Sequence, residues 1–223
     1  MRFKVNVITL GCAKNIVDSE VLIKQLEGSG IQVCIDNPEF SGDAVIINTC
    51  GFISDAKQES IDAALVAIND KKAGRIKKII VCGCLSQRYA RQLKNELSEV
   101  DAFFGVMDWK GILGYLEKKI NKETNNQRVL ITPKHYAYLK ISEGCSRSCS
   151  FCAIPGIRGQ HVSRPLESLL KEARILVNNG VKEIILIAQD TTLYGIDLYG
   201  KRMLAKLLEK LAVIKSLEWI RLQ

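Results

Sequence analysis

Residues Glu143–Gly159 read EGCSRSCSFCAIPGIRG and place cysteines at Cys145, Cys149 and Cys152. Gaps of three and then two residues let one loop wrap three thiolates around a single iron-sulfur cube, leaving the fourth iron without a protein ligand. An open iron admits a substrate group, by the same logic that separates catalytic zinc sites from closed structural ones. A zinc knuckle would need a fourth Cys or His close by. His161 lies nine residues beyond Cys152, longer than the short spacings usual in such sites. The spacing therefore predicts an iron-sulfur centre with one open coordination position.

Around this loop the chain reads as the start of a β/α barrel. A strand over Tyr138–Ser142 leads into the cysteines, and a helix follows over Leu166–Asn178 with Ser163 or Pro165 near its start. A second strand is expected over Val181–Ala188, a second helix over Arg202–Leu211 and the beginning of a third strand over Leu217–Leu222. In such a barrel the reactive loops sit at the carboxyl ends of the strands. Within IRGQHVSRP, Arg158 and Arg164 are candidates either for binding an anion through the guanidinium fork or for structural ion pairs.

Upstream, short β-branched runs alternate with stretches of helical length, the pattern of a parallel α/β domain. Strands are expected over Phe3–Thr9, Ile31–Ile35, Ala44–Asn48, Lys78–Cys82 and Ala102–Phe104. Helices are expected over Asn15–Glu27, Ser54–Lys71 with Ser54 as its cap, Ser86–Leu97 and Lys110–Ile120. The polar run Asn121–Gln127 has linker composition. The expected domains are 1–125, a flavodoxin-like doubly wound parallel sheet, and 126–223, an incomplete TIM-like barrel.

This layout puts Cys12, Cys50 and Cys84 each just past the carboxyl end of an expected strand. With strand order 2-1-3-4-5 those three strands are neighbours, and their ends share the edge where open α/β sheets bind ligands. The thiols would then converge, although core packing is the alternative for residues so scattered in sequence. Cys34 and Cys82 fall inside strands and read as small hydrophobes.

A chain of 223 residues, 47% hydrophobic and 25% charged, can bury a substantial core. No apolar run approaches the ~20 residues needed to span a membrane, and MRFKVNVITLGC lacks the features of a signal peptide. A cytoplasmic protein with no membrane partner is expected, in which eight cysteines read as ligands more readily than as disulfides. The net charge of +8 suits a phosphate-rich partner, but the basic residues are spread along the chain. Charge alone does not decide for direct nucleic-acid binding.

The cysteine loop resembles the signature of the radical S-adenosylmethionine enzymes, CxxxCxxC with an aromatic residue just before the last cysteine. Cys145, Cys149, Phe151 and Cys152 match it position by position. The resemblance implies a 4Fe-4S cluster whose open iron is chelated by S-adenosylmethionine, with Phe151 near that ligand. An electron from the cluster then splits the sulfonium to give a deoxyadenosyl radical.

The strings LGCAKN around Cys12, NTCGF around Cys50 and GCLSQRY around Cys84 look like the N-terminal domain of the methylthiotransferases. That implies a second, auxiliary 4Fe-4S cluster on these three cysteines, holding the sulfur that is transferred. GFISDAKQESID and IAQDTTLYGIDLYG, the latter with Gln189, Asp190, Thr191 and Tyr194, look like the RimO type, which methylthiolates the β-carbon of an aspartate in a small-subunit ribosomal protein. The MiaB type, which modifies a transfer RNA adenosine, tends instead to carry a GQNVN-like string there, and remains the alternative within the family. A reductant such as flavodoxin or ferredoxin is implied as partner. The family's barrel has about six β/α units followed by a TRAM domain, so this chain is expected to be an N-terminal fragment. Readings outside the family are an iron-sulfur electron-transfer protein, which would need neither barrel nor open irons, and a zinc interaction module.

Overall fold

The computed structural model describes residues 2–121 and 127–223, which form two compact units, Met1–Ile131 and Thr132–Gln223. Most of the expected linker Asn121–Gln127 lies outside the described residues.

The first unit runs β1 (Lys4–Thr9), α1 (Ala13–Gly28), β2 (Gln32–Ile35), β3 (Gly42–Thr49), α2 (Ser54–Lys72), β4 (Ile76–Gly83), α3 (Cys84–Glu96), β5 (Ala102–Phe103) and α4 (Trp109–Tyr115). The five strands are all parallel, in the order β2-β1-β3-β4-β5 of the flavodoxin-like arrangement. Alternation along the strands divides the core into two layers. Val5, Val7, Ile46 and Ile80 pack with Leu22, Ile23 and Leu26 of α1 and Ile112 and Leu113 of α4. Val45, Ile47, Ile79 and Val81 pack with Ala64, Ala67 and Ile68 of α2 and Leu85 and Leu93 of α3. Helices thus cover both faces, which is why β3 and β4 read as nearly continuous apolar runs. Each fully buried Ile or Leu in these layers contributes roughly 1.5–3 kcal/mol.

Residues beyond the expected boundary at 125 belong to this unit. Arg128 pairs with Glu20 of α1 at 2.7 Å, both side chains being almost wholly buried. The backbone N–H of Ile131 donates to the same carboxylate at 3.0 Å, and Val129 and Ile131 pack against the α1 side of the core. A local sequence reading sees polar linker composition and cannot see this long-range pair. The expected Ser54 cap is also corrected. Ile53 occupies the cap position and supplies no side-chain hydrogen bond, leaving Ser54 as the first helical residue.

The second unit contains β6 (Tyr136–Lys140), β7 (Ser142–Glu143), α5 (Ile154–Arg158), β8 (Val162–Ser163), α6 (Leu166–Asn178), β9 (Glu183–Ile187), α7 (Ile196–Tyr199), α8 (Leu204–Ala212) and β10 (Trp219–Leu222), with a 3₁₀ turn over Thr191–Leu193. Strands β6, β9 and β10 pair in parallel in the order β10-β9-β6, the arrangement of successive β/α units. Leu169, Leu170, Ala173, Leu176 and Val177 form the buried face of α6, and Leu207 and Leu211 that of α8. The strand expected over Tyr138–Ser142 is in fact divided. The sheet strand ends at Lys140, and Ser142–Glu143 leaves to pair antiparallel with Val162–Ser163. This short ladder closes the base of the cysteine loop.

Removing one partner of a buried ion pair strands the other charge, a loss of about 3–5 kcal/mol. Glu20→Ala is expected to destabilise the first unit by that amount. Urea unfolding followed at Trp109, in a Trp219→Phe background, measures it. Glu20→Leu with Arg128→Met is expected to recover most of the loss.

Candidate metal centres

In the first unit Cys12, Cys50 and Cys84 lie at the carboxyl ends of β1, β3 and β4, which are adjacent strands of one parallel sheet. Register places Thr9 beside Asn48 and Thr49 beside Gly83, so the three loops leave the sheet at one edge. Cys12 is exposed at the start of α1, whereas Cys50 and Cys84 are buried.

Asn15, wholly buried, ties these loops together. Its amide Nδ2 donates to the carbonyls of Leu10 at 2.9 Å and Thr49 at 3.0 Å, and its Oδ1 lies 3.7 Å from the Cys84 thiol. Beneath it, Asn48 Nδ2 donates to the Asn15 carbonyl at 3.0 Å and to Ser19 Oγ at 2.9 Å. The Cys50 N–H donates to Ser60 Oγ on α2 at 3.1 Å.

Two glycines make the close approach feasible. Gly11 has φ +89°, and a Cβ there would stand 2.9 Å from the Cys50 sulfur. Gly83 has φ +95°, and its Cβ would stand 2.6 Å from the Thr49 carbonyl oxygen. Both positions combine a left-handed backbone with no room for a side chain.

Cys82 is different from its neighbour Cys84. It packs within the core beside Val7 and Ile80, and burial, followed by the charges of Asp18 and neighbouring groups, pushes its thiol up to about 12. Cys34 is partly buried against the opposite layer. Both behave as the small hydrophobes expected.

In the second unit Cys145 follows β7 with Gly144 between them and is buried, Cys149 is exposed and Cys152 is half-buried. The Cys145 N–H donates to the Gly159 carbonyl at 3.0 Å, so the loop begins and ends at one point. The Arg147 N–H approaches the Cys145 sulfur at 3.5 Å. Phe151 is 90% exposed, its ring projecting from the loop beside Cys152.

The base of the loop is held by charge. Glu143 Oε2 accepts from Lys140 Nζ at 2.6 Å and its Oε1 accepts from Arg158 at 2.9 Å. Burial opposes ionisation of Glu143, but the charges of Lys140 and Arg158 hold its carboxyl below the usual range. Arg158 therefore makes an ion pair of the structural kind. Arg164 does likewise, with Glu172 at 2.6 Å and the Lys140 carbonyl at 3.1 Å.

Across the loop Arg147 reaches Asp190, 2.7 Å from Nε to Oδ2, and its NH2 lies 3.4 Å from Thr192 Oγ1. Tyr194 is buried, its hydroxyl donating to the Arg164 carbonyl at 3.0 Å. Sequence reasoning passed over Arg147 and Asn15. Their signals in the sequence are a cation set between two cysteines and an asparagine inside LGCAKN.

Two family models match the chain, Uncharacterized protein family UPF0004 over residues 4–105 and the Radical SAM superfamily over 139–223. Proteins named ribosomal protein uS12 methylthiotransferase RimO are similar along nearly all of it. Identity is 53% with the one from Bacteroides fragilis and 54% with that from Porphyromonas gingivalis, each over 99% of this chain and 51% of the relative. The two family matches follow one another along the chain, and the similarity to the proteins named RimO runs through both. The chain spans about half the length of the curated relatives it matches. Among solved structures, the radical S-adenosylmethionine methyltransferase TsrM from Kitasatospora setae, with cobalamin and a 4Fe-4S cluster bound, covers 94% of this chain and 52% of its own at TM-score 0.57 and 13% identity. The same enzyme with tryptophan substrate and aza-SAM bound gives TM-score 0.60 at 14% identity, covering 94% of this chain and 50% of its own. These two likenesses bear on the fold alone.

The donor sets fit iron-sulfur chemistry. All eight cysteines are free thiols, and each unit offers three of them around a loop or sheet edge. Among the described residues no three His, Cys, Asp or Glu side chains gather tightly enough for one metal ion. A cube makes a looser demand, because each thiolate binds a different iron.

Exposure and thiol acidity together predict how the iron-free chain reacts with iodoacetamide at pH 8. Cys12 and Cys149 are expected to alkylate readily. Cys82 is expected to react roughly a thousandfold more slowly, since only its small thiolate fraction attacks. Peptide mass spectrometry reads the difference, which should vanish in denaturant.

Proposed function

We propose that this chain carries the two iron-sulfur centres of a methylthiotransferase acting on the β-carbon of an aspartate in a small-subunit ribosomal protein. Cys145, Cys149 and Cys152 would hold the cluster that binds S-adenosylmethionine, and Cys12, Cys50 and Cys84 the auxiliary cluster that carries sulfur. The observation that carries this reading is the placement of the second triad of thiols, at the carboxyl ends of three adjacent parallel strands. A pure electron-transfer protein has no use for such a second open-sided site.

When bound, the clusters and S-adenosylmethionine supply one-electron cleavage of a sulfonium and the sulfur to be transferred. The chain's own residues position and shield. Asn15 and Ser60 fix the loops that carry Cys50 and Cys84. The β7–β8 ladder and the Lys140–Glu143–Arg158 cluster fix the start and end of the loop that carries Cys145. Phe151 offers an exposed ring beside that loop, suited to covering a ligand there.

The relatives named for ribosomal protein uS12 support the choice of substrate over a transfer RNA adenosine, as do the strings after Cys50 and after β9. No helix of the described residues is long and apolar enough to cross a membrane. We place the protein in the cytoplasm beside its ribosomal substrate, with a flavodoxin- or ferredoxin-like reductant.

Anaerobic reconstitution followed by iron and acid-labile sulfide analysis tests this reading. About eight irons per chain are expected, falling to about four when either triad is changed to alanine. Dithionite-dependent cleavage of S-adenosylmethionine should survive loss of Cys12, Cys50 and Cys84 and disappear with Cys145, Cys149 and Cys152. About four irons, falling to none when Cys145, Cys149 and Cys152 alone are changed, would leave Cys12, Cys50 and Cys84 as packing residues and sink the two-centre proposal.

A further inference from the structure

The Arg147–Asp190 pair joins the cysteine loop to the turn that follows β9, and its geometry serves more than loop anchoring. Arg147 sits midway between Cys145 and Cys149 in sequence, and its own N–H points at the Cys145 sulfur. Its guanidinium is half-exposed, whereas the Asp190 carboxylate that grips it is largely buried. Asp190 is fixed in turn by Thr192, whose N–H and hydroxyl donate to Oδ1 at 2.9 and 2.6 Å. A positive charge is therefore held at a fixed place on the loop that carries the three thiols, with a negative charge fixed behind it.

Reduction of an iron-sulfur cluster adds one electron, and hence one negative charge, to a site whose potential depends on local charge and on hydrogen bonds to sulfur. A fixed cation nearby favours the reduced state and a fixed anion opposes it. We infer that Arg147 and Asp190 are positioning residues that set the reduction potential of the cluster on Cys145, Cys149 and Cys152, Arg147 raising it and Asp190 moderating that effect. The inference rests on the cluster assignment proposed above. It also gives the AQDTT string a role other than direct contact with substrate, because Asp190 is committed to the loop.

The other charges at the loop are internally matched. Glu143 is gripped by Lys140 and Arg158 at the loop base. Arg147 is the cation whose amide also faces a cysteine sulfur, so it acts on the same group through both its backbone and its side chain.

The test uses the full chain with Cys12, Cys50 and Cys84 changed to alanine, so that one cluster remains. Potentiometric titration is followed by electron paramagnetic resonance, with dithionite and mediators supplying the electron. At the potential where this parent is half reduced, Arg147→Gln is expected to lower the reduced-to-oxidised ratio about tenfold, equivalent to about 59 mV for a one-electron couple. Asp190→Asn is expected to raise the ratio, and Arg147→Lys to stay near the parent. All variants should retain about four irons. A purely mechanical clasp predicts otherwise. Arg147→Gln and Asp190→Asn would then lower iron content or thermal stability together, with the potential unmoved or shifted the same way in both, and either result overturns the inference. A parent that binds no iron overturns the cluster assignment itself, and this inference with it.

Discussion

The carboxyl edge of the first sheet is organised by one buried amide. Asn15 has two N–H donors and one carbonyl, and it uses them at the carboxyl ends of three different strands, on Leu10 after β1, Thr49 at the end of β3 and Cys84 after β4. A buried polar group without partners costs roughly 1–3 kcal/mol, so the amide stays satisfied only when all three loops are in place. The satisfied state is thus also the state in which Cys12, Cys50 and Cys84 share an edge. Asn48 and Ser19, and the Thr9 hydroxyl that donates to Ser19, extend the same condition down into the sheet. This patch ties the cysteine-bearing loops together through neutral hydrogen-bonding groups.

The second unit solves a similar problem by different means. Its three cysteines lie in one short loop, so the need is to fix the two ends and the crown. The ends are fixed by the antiparallel pairing of β7 with β8 and by Glu143 between two cations. The crown is fixed by Arg147 on Asp190. Charge suits this part of the chain because a loop has few main-chain partners of its own, and a charge-assisted bond is stronger than a neutral one.

Much of this architecture is legible in the sequence. The β-branched runs at Val5–Ile8, Val45–Ile47 and Ile79–Val81 announce buried parallel strands, and their alternation with helices announces the doubly wound topology, whose strand order is that of the flavodoxin-like arrangement. Cys82 and Cys84 differ in setting although only Gly83 separates them, because a strand ends between them, and that too follows from pattern. What escapes the sequence is contact between distant polar residues. Glu20 with Arg128 extends the first unit past a stretch that reads as linker, and nothing local signals it. Ile53 stands where a serine cap was expected, because the chain leaving Cys50 sets the start of α2 and a serine one residue later does not move it. The division of the strand before Cys145 is likewise hidden, since Ser142 and Glu143 find their partners in Val162 and Ser163, on the far side of the cysteines.

The two sets of thiols also differ in when they can exist during synthesis. Cys145, Cys149 and Cys152 leave the ribosome almost together, whereas Cys12, Cys50 and Cys84 become neighbours only after β1, β3 and β4 have paired. Pairing of parallel strands across long crossovers is a slow, high-contact-order event. The sheet edge is accordingly a product of completed folding. On the proposed assignment, any factor that delivers iron to it must meet a domain already folded, while the nascent cysteine loop is complete much earlier.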